Sequence, residues 1–304
     1  MQLKIDLYDI DHNLLVPRGR QITEPIIHKL IHAGETNPPS FVPIKNTPII
    51  KDIDHAFNDP RYSLIFKSPP NRRKVTSVLE KLKLEKPLYQ EILHMKESLP
   101  YTYKHAHILA ALSILITEHL TGFKYDPVLA AHLSFTHDIG KTRIPGKILN
   151  KSTALTERES MVIESHPTIG YLLLNYYCGW EGKKYCWTAY EHHEKLDGSG
   201  YPRGIRKIDP YAQLITPLDI FDALICDRPY RKTPFSVRMA VDLLLDGVEK
   251  GKLNRTIVYA IINCLRKHKT LPAGRLQTSK KKRSQIPPQY KNGLKSARKW
   301  LQKD

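Results

Sequence analysis

Residues 130–145 read Ala130-Ala-His-Leu-Ser-Phe-Thr-His-Asp-Ile-Gly-Lys-Thr-Arg-Ile-Pro145. The run is apolar as far as His137-Asp138, where Gly140 ends the expected helix and Lys141 begins the next turn. An imidazole nitrogen and a carboxylate set side by side at a helix end can bind metal. A lone pair of this kind is more often a capped, solvated terminus. The rest of the chain decides between the two. His105 stands upstream in Tyr-Thr-Tyr-Lys-His-Ala, and His166, His192, His193 and Asp219 follow downstream, which makes five His and two Asp.

The surrounding residues are as informative as the histidines. They comprise His137-Asp138 with Gly140-Lys141, Ile144-Pro145, His166-Pro167 with Gly170, and His192-His193-Glu194. Asp197-Gly198-Ser199-Gly200-Tyr201-Pro202, Asp219 with Asp222-Ala223-Leu224, and Arg228-Pro229-Tyr230-Arg231 complete the series. From about Tyr101 to about Leu245 this pattern resembles the HD-GYP family, the branch of HD-domain metal phosphohydrolases that cleaves cyclic di-GMP, in the family's order and near its spacing.

The resemblance implies two divalent metal ions, iron first, with manganese or zinc as alternatives. It assigns His105, His137, Asp138 and Asp219 to one ion and His166, His192 and His193 to the other, with Asp138 bridging. Neighbours on an ideal helix point about 100° apart, so His192 and His193 could not easily share an ion from mid-helix. The loop forced by Gly198 and Gly200 places the pair at the helix end instead. Asp138 and Lys141 are the implied catalytic residues, a metal-activated hydroxide attacking phosphorus while Lys141 steadies charge on a phosphate oxygen. Lys141, Gly200, Tyr201, Arg228 and Arg231 are the implied substrate contacts, the two arginines clamping the second phosphate bidentately.

The implied reaction converts cyclic di-GMP to linear pGpG and/or GMP. One alternative is a sensor or scaffold that binds the dinucleotide and engages a protein partner through the N-terminal domain or the basic tail. The other is a phosphohydrolase for a different cyclic dinucleotide. Two departures stand out. Tyr101 occupies the position where members with a third metal carry Glu, so two ions are expected. Leu253-Asn254-Arg255 replaces the usual Phe-Asp-Pro, which puts the local capping in doubt.

Composition sets the bounds. At 304 residues and 41% hydrophobic content the chain holds one good-sized domain plus a small one. A net charge of +18 calls for an anionic partner, phosphates being the natural candidates. No stretch is apolar enough to span a bilayer, and charge interrupts Met-Gln-Leu-Lys-Ile-Asp-Leu at once, so a cytoplasmic protein is expected. Cys178, Cys186, Cys226 and Cys264 show neither a Cys-x-x-Cys pair nor a regular framework, and are read as buried reduced thiols.

The expected fold is an all-α helical bundle, the HD-domain fold with its GYP extension, over residues 86–270. A small N-terminal α+β domain with an irregular connector precedes it over 1–85, and a basic tail follows over 271–304. Alternation around Leu3 to Val16 predicts a hairpin. Thr23-Glu24-Pro25 predicts a short helix through His32, closed by Gly34. Pro38-Pro39 and Pro69-Pro70 bracket a stretch, 35–72, read as irregular.

Helices are expected at 74–84, 87–95 and 101–120, from Asp126-Pro127 to His137, and from Trp187 to His193. The box Thr156-Glu-Arg-Glu159 starts the helix expected to deliver His166. Further helices are expected at 215–225, 235–250 and 256–267. The tail from Ser279 holds nine Lys or Arg against one acidic residue and is read as a solvated extension, with no nucleic acid expected. His94, His107, His119, His132 and His268 are left as structural or exposed.

Overall fold

The computed structural model describes residues 2–35, 40–120, 124–180, 183–226 and 233–267. Near the N-terminus β1 (Leu7–Tyr8) and β2 (Leu14–Val16) form the expected antiparallel hairpin, shorter than the alternation predicts. Asp9 ties its turn by accepting from the Asp11 and Asn13 amides at 2.9 and 2.8 Å. Helix α1 (Glu24–Gly34) follows. Gly34 is there for packing, because a Cβ on it would lie 1.7 Å from the Tyr176 carbonyl oxygen.

The expected irregular connector is overturned. Strand β3 (Phe41–Pro43) pairs with β4 (Lys83–Glu85), and between them run one-turn helices at Pro48–Lys51, Asp54–Phe57, Pro60–Tyr62 and Ser63–Phe66, then α2 (Pro69–Leu79). Pro48, Pro60 and Pro69 open three of these helices, where a missing N–H costs nothing and the fixed φ is already helical. The prolines therefore start structure that they were read as breaking. Ile44, Ile49, Tyr62, Ile65 and Phe66 are fully buried in the same core as the later helices. The predicted 74–84 helix stops at Leu79 because the chain must turn into β4.

From residue 86 onward the described chain is helical, as expected. Helices α3 (Lys86–Ser98) and α4 (Pro100–Thr117) lead in, and α5 (Pro127–Thr136) lies along α4. Every residue from His105 to Ile116 is buried, so α4 is the core helix of the bundle. Asp126 caps α5 by accepting from the Val128 amide at 2.8 Å. The Thr156 box caps α6 (Glu157–Ile163), but that helix ends before His166, which opens α7 (His166–Cys178) instead.

Helix α8 (Lys183–Glu191) also stops just short of its histidines. Asp209 and Ser236, not singled out in the sequence, cap α9 (Pro210–Ile225) and α10 (Val237–Glu249). Asn254 accepts from the Thr256 amide at 3.0 Å and so caps α11 (Arg255–Lys267), doing the work of the missing Asp. His107 and His132 are buried away from the cluster described below, whereas His94 is exposed. His268 and the basic tail lie outside the described residues.

Candidate metal centre

Five segments converge on Asp138. Helix α4 carries His105, the end of α5 carries His137, and the following turn carries Asp138 and Lys141. His166 opens α7, His192 and His193 leave the end of α8, and Asp219 sits within α9. Gly140 allows the convergence. A Cβ there would meet the His166 carbonyl oxygen at 2.0 Å and the Gly170 amide nitrogen at 2.6 Å, so the chain after Asp138 touches the start of α7 backbone to backbone.

Asp138 Oδ1 lies 3.3 Å from His166 Nε2 and 3.7 Å from His192 Nε2, and Oδ2 lies 3.4 Å from His137 Nε2. His166 Nε2 stands 3.2 Å from His192 Nε2 and 3.1 Å from His193 Nε2. His105 Nε2 is 3.1 Å from Asp219 Oδ1. All seven residues are buried. Two triads have every donor atom within 4.8 Å of the others, His166–His192–His193 and His105–His137–Asp138.

Hydrogen bonding sets which nitrogen faces inward. Nδ1 of His137, His166 and His192 lies 2.8, 2.7 and 2.8 Å from the carbonyl oxygens of Ser134, Ile163 and Ala189. A carbonyl only accepts, so each Nδ1 donates and each Nε2 presents a lone pair. Lone pairs 3.2 Å apart repel unless a cation sits between them. His137 Nε2 and Asp138 Oδ1 are moreover buried and make no hydrogen bond. On both counts the donors fit divalent metal, with carbonyls holding the rings in the ligating tautomer.

Electrostatics separate the two triads. Burial disfavours charge on His166 and pushes it down to about 4, and it lowers His192 and His193 as well. Burial acts the same way on His105, but Asp219 and Asp222 outweigh it and push that ring up to about 9. Asp138 is held well below the usual carboxylate range, Lys141 and His137 overcoming its desolvation.

The remaining expected site residues divide. Lys141 Nζ is 2.5 Å from Asp138 Oδ2, with its side chain 20% exposed. Gly200 lies against the chain itself, since a Cβ would sit 2.4 Å from Glu194 Cα and 2.5 Å from the His193 carbonyl oxygen. Tyr201 stacks on His193 with ring centroids 4.7 Å apart. Tyr101 stacks on His105, its hydroxyl 2.6 Å from Cys226 Sγ. Arg228 and Arg231 lie outside the described residues.

The sequence motifs include Asp222 and Glu194 but assign them no role, and Arg61, Tyr62 and Glu191 carry no motif at all, yet these residues hold the cluster and its loop. Asp222 Oδ2 is 2.6 Å from His105 Nδ1 and takes Arg61 and Tyr62 on its other oxygen. Asp222 was detectable, one turn after Asp219 on the same face of α9, whereas nothing local marks Arg61 or Tyr62. Glu194 accepts from the amides of Arg203 and Ile205 at 2.7 and 3.1 Å, and Glu191 accepts from Arg203 and from the Asp209 amide. Together they fasten the loop that carries Gly200 and Tyr201.

A family model described as HD domain matches residues 79–257. The chain is 33% identical over 165 residues to a 3'3'-cGAMP-specific phosphodiesterase of Vibrio cholerae, covering 53% of this chain and 37% of the relative. It is 35% identical over 146 residues to a cyclic di-GMP phosphodiesterase of Pseudomonas aeruginosa, covering 46% and 34%. A cyclic di-GMP phosphodiesterase of Borreliella burgdorferi is 30% identical over 173 residues, covering 56% and 45%. The chain thus spans less than half the length of each of these curated relatives.

Proposed function

The chain belongs to the HD domain family, in its HD-GYP branch, and on that premise we propose that it is a phosphodiesterase that opens cyclic di-GMP to pGpG and then GMP. Divalent-metal dependence comes with the HD domain. The observation that carries the reading is the convergence of six buried imidazole and carboxylate side chains around Asp138. Their mixed nitrogen and oxygen donors favour iron, with manganese or zinc next, over the all-oxygen set that magnesium prefers. When bound, a pair of such ions supplies a water-derived nucleophile at neutral pH and positive charge opposite the developing phosphorane.

The chain's own residues do the rest. His105, His137, Asp138 and Asp219 would hold one ion and His166, His192 and His193 the other, with the Asp138 carboxylate within reach of both groups. Lys141, ion-paired to Asp138 yet partly exposed, neutralises a non-bridging oxygen of the scissile phosphate. Gly200 and Tyr201 border the dinucleotide, and Arg228 with Arg231 holds its second phosphate. Hydrolysis adds water across one P–O3′ bond, the oxygen going to phosphorus and the proton to the released 3′ oxygen. The cytoplasm, where cyclic dinucleotides act as signals, is the compartment this assigns.

The likeness to 3'3'-cGAMP-specific relatives favours, as a second reading, the same chemistry on another cyclic dinucleotide. Incubating iron- or manganese-loaded protein with cyclic di-GMP, 3'3'-cGAMP and cyclic di-AMP, and chromatographing the products, decides the matter. pGpG from cyclic di-GMP supports the proposal, and turnover of 3'3'-cGAMP alone moves the substrate. Tight binding without turnover would make the protein a sensor, with a protein partner on its N-terminal region or basic tail.

A further inference from the structure

Asp222 is 1% exposed and carries three hydrogen-bonding partners. Oδ2 lies 2.6 Å from His105 Nδ1, while Oδ1 accepts from Tyr62 Oη at 2.8 Å and from Arg61 Nη1 at 3.0 Å. Arg61 is itself fixed by Asp59, its Nε 2.9 Å from Oδ1 and its Nη2 2.8 Å from Oδ2. Asp59 accepts the Arg61 amide at 3.0 Å as the cap of the Pro60–Tyr62 turn, and Tyr62 is fully buried with its ring against Phe66 and Phe221. A single turn near residue 60 therefore reaches the helix that carries Asp219 and completes the shell around His105.

We propose that the Asp59–Tyr62 turn is a positioning element for one half of the metal centre. It holds Asp222, Asp222 fixes the Nδ1–H of His105, and His105 Nε2 is thereby aimed at the position it shares with His137 and Asp138. The other triad has separate support, since His166 and His192 are oriented by the carbonyls of Ile163 and Ala189. The segment before residue 86 thus governs occupancy of the His105 group and leaves the His166 group alone. This rests on the reading of the cluster as a two-metal centre, and it gives the N-terminal region a role in the chemistry.

A buried carboxylate needs a counter-charge whatever its function, so the test must separate positioning from mere support. The full chain is made as wild type, as Arg61→Lys, and as the double variant Arg61→Ala with Tyr62→Phe. Mn2+ is titrated by calorimetry, bound ion per chain is counted by elemental analysis after gel filtration, and the Tm is recorded. In the double variant one of two Mn2+ sites weakens about 10-fold, the order seen when partners behind a ligand are removed, and the other keeps its affinity. Arg61→Lys, which retains the charge, restores part of the loss.

Both sites at wild-type affinity in the double variant would overturn the proposal. So would equal weakening of both together with a lowered Tm, the mark of a purely structural role. A wild-type chain that takes up no Mn2+ overturns it along with the metal reading. Because the readout is bound Mn2+, these outcomes are separable from a failure to hydrolyse cyclic di-GMP.

Discussion

His166 Nε2 and His192 Nε2 face each other at 3.2 Å while both Nδ1 atoms are engaged by backbone carbonyls. Such a pair has no proton to share, so metal should stabilise the fold. At a free metal concentration 100 times Kd the gain is about 2.7 kcal/mol. For a domain of this size that is roughly 5–10 °C of Tm. Differential scanning calorimetry with and without EDTA measures it, and an unchanged Tm would count against the site.

The triads should answer pH differently. In metal-free protein Asp219 and Asp222 outweigh burial and hold the His105 proton up to about 9. The folded value lies above the unfolded one, so this stabilisation is complete below about pH 6.5 and fades as pH rises through 9. An ion entering the His105 group must displace that proton, so its affinity should climb between pH 7 and 9. His166, pushed down to about 4 by burial, is already neutral, and its group should bind with little change over the same interval. Calorimetry at pH 7 in buffers of different ionisation enthalpy should show proton release from one site.

Asp138 and Lys141 are ion-paired but should fail in different ways. Asp138→Ala removes the carboxylate within reach of both triads and should lose metal and activity together. Lys141→Ala should keep the metal and lower kcat by about 10²–10³-fold, the scale for removing one charge-stabilising donor. Elemental analysis beside steady-state kinetics separates the two. Full metal content in Asp138→Ala would refute the assignment.

Gly140→Ala drives a methyl against the His166 carbonyl, whereas Gly146→Ala has Asn150 Nδ2 as its nearest neighbour at 3.8 Å. The first should cost roughly 1–3 kcal/mol in urea unfolding and weaken metal binding through His166, and the second should do neither. Equal effects would mean the crossing at Gly140 is looser than the backbone distances indicate.

What the sequence determined alone was whatever depends on near neighbours. Asp126 and the Thr156 box cap helices because a cap needs only residues two or three positions on. The buried stripe of α4 and the order of His105, His137-Asp138, His166 and His192-His193 were legible for the same reason. The proline-rich stretch was misread because a proline at the first turn of a helix looks, in sequence, like one that breaks it. His166 opens a new helix because α6 ends at Ile163, a break its capping box could not foretell.

Only the tertiary structure decided that Arg61 and Tyr62 hold Asp222, and that Gly34 and Gly140 are contact points between backbones. These pairings join positions far apart in the chain. They exist because burying the apolar faces of the helices brings their backbones together, and no local pattern of residues encodes where two distant backbones will touch.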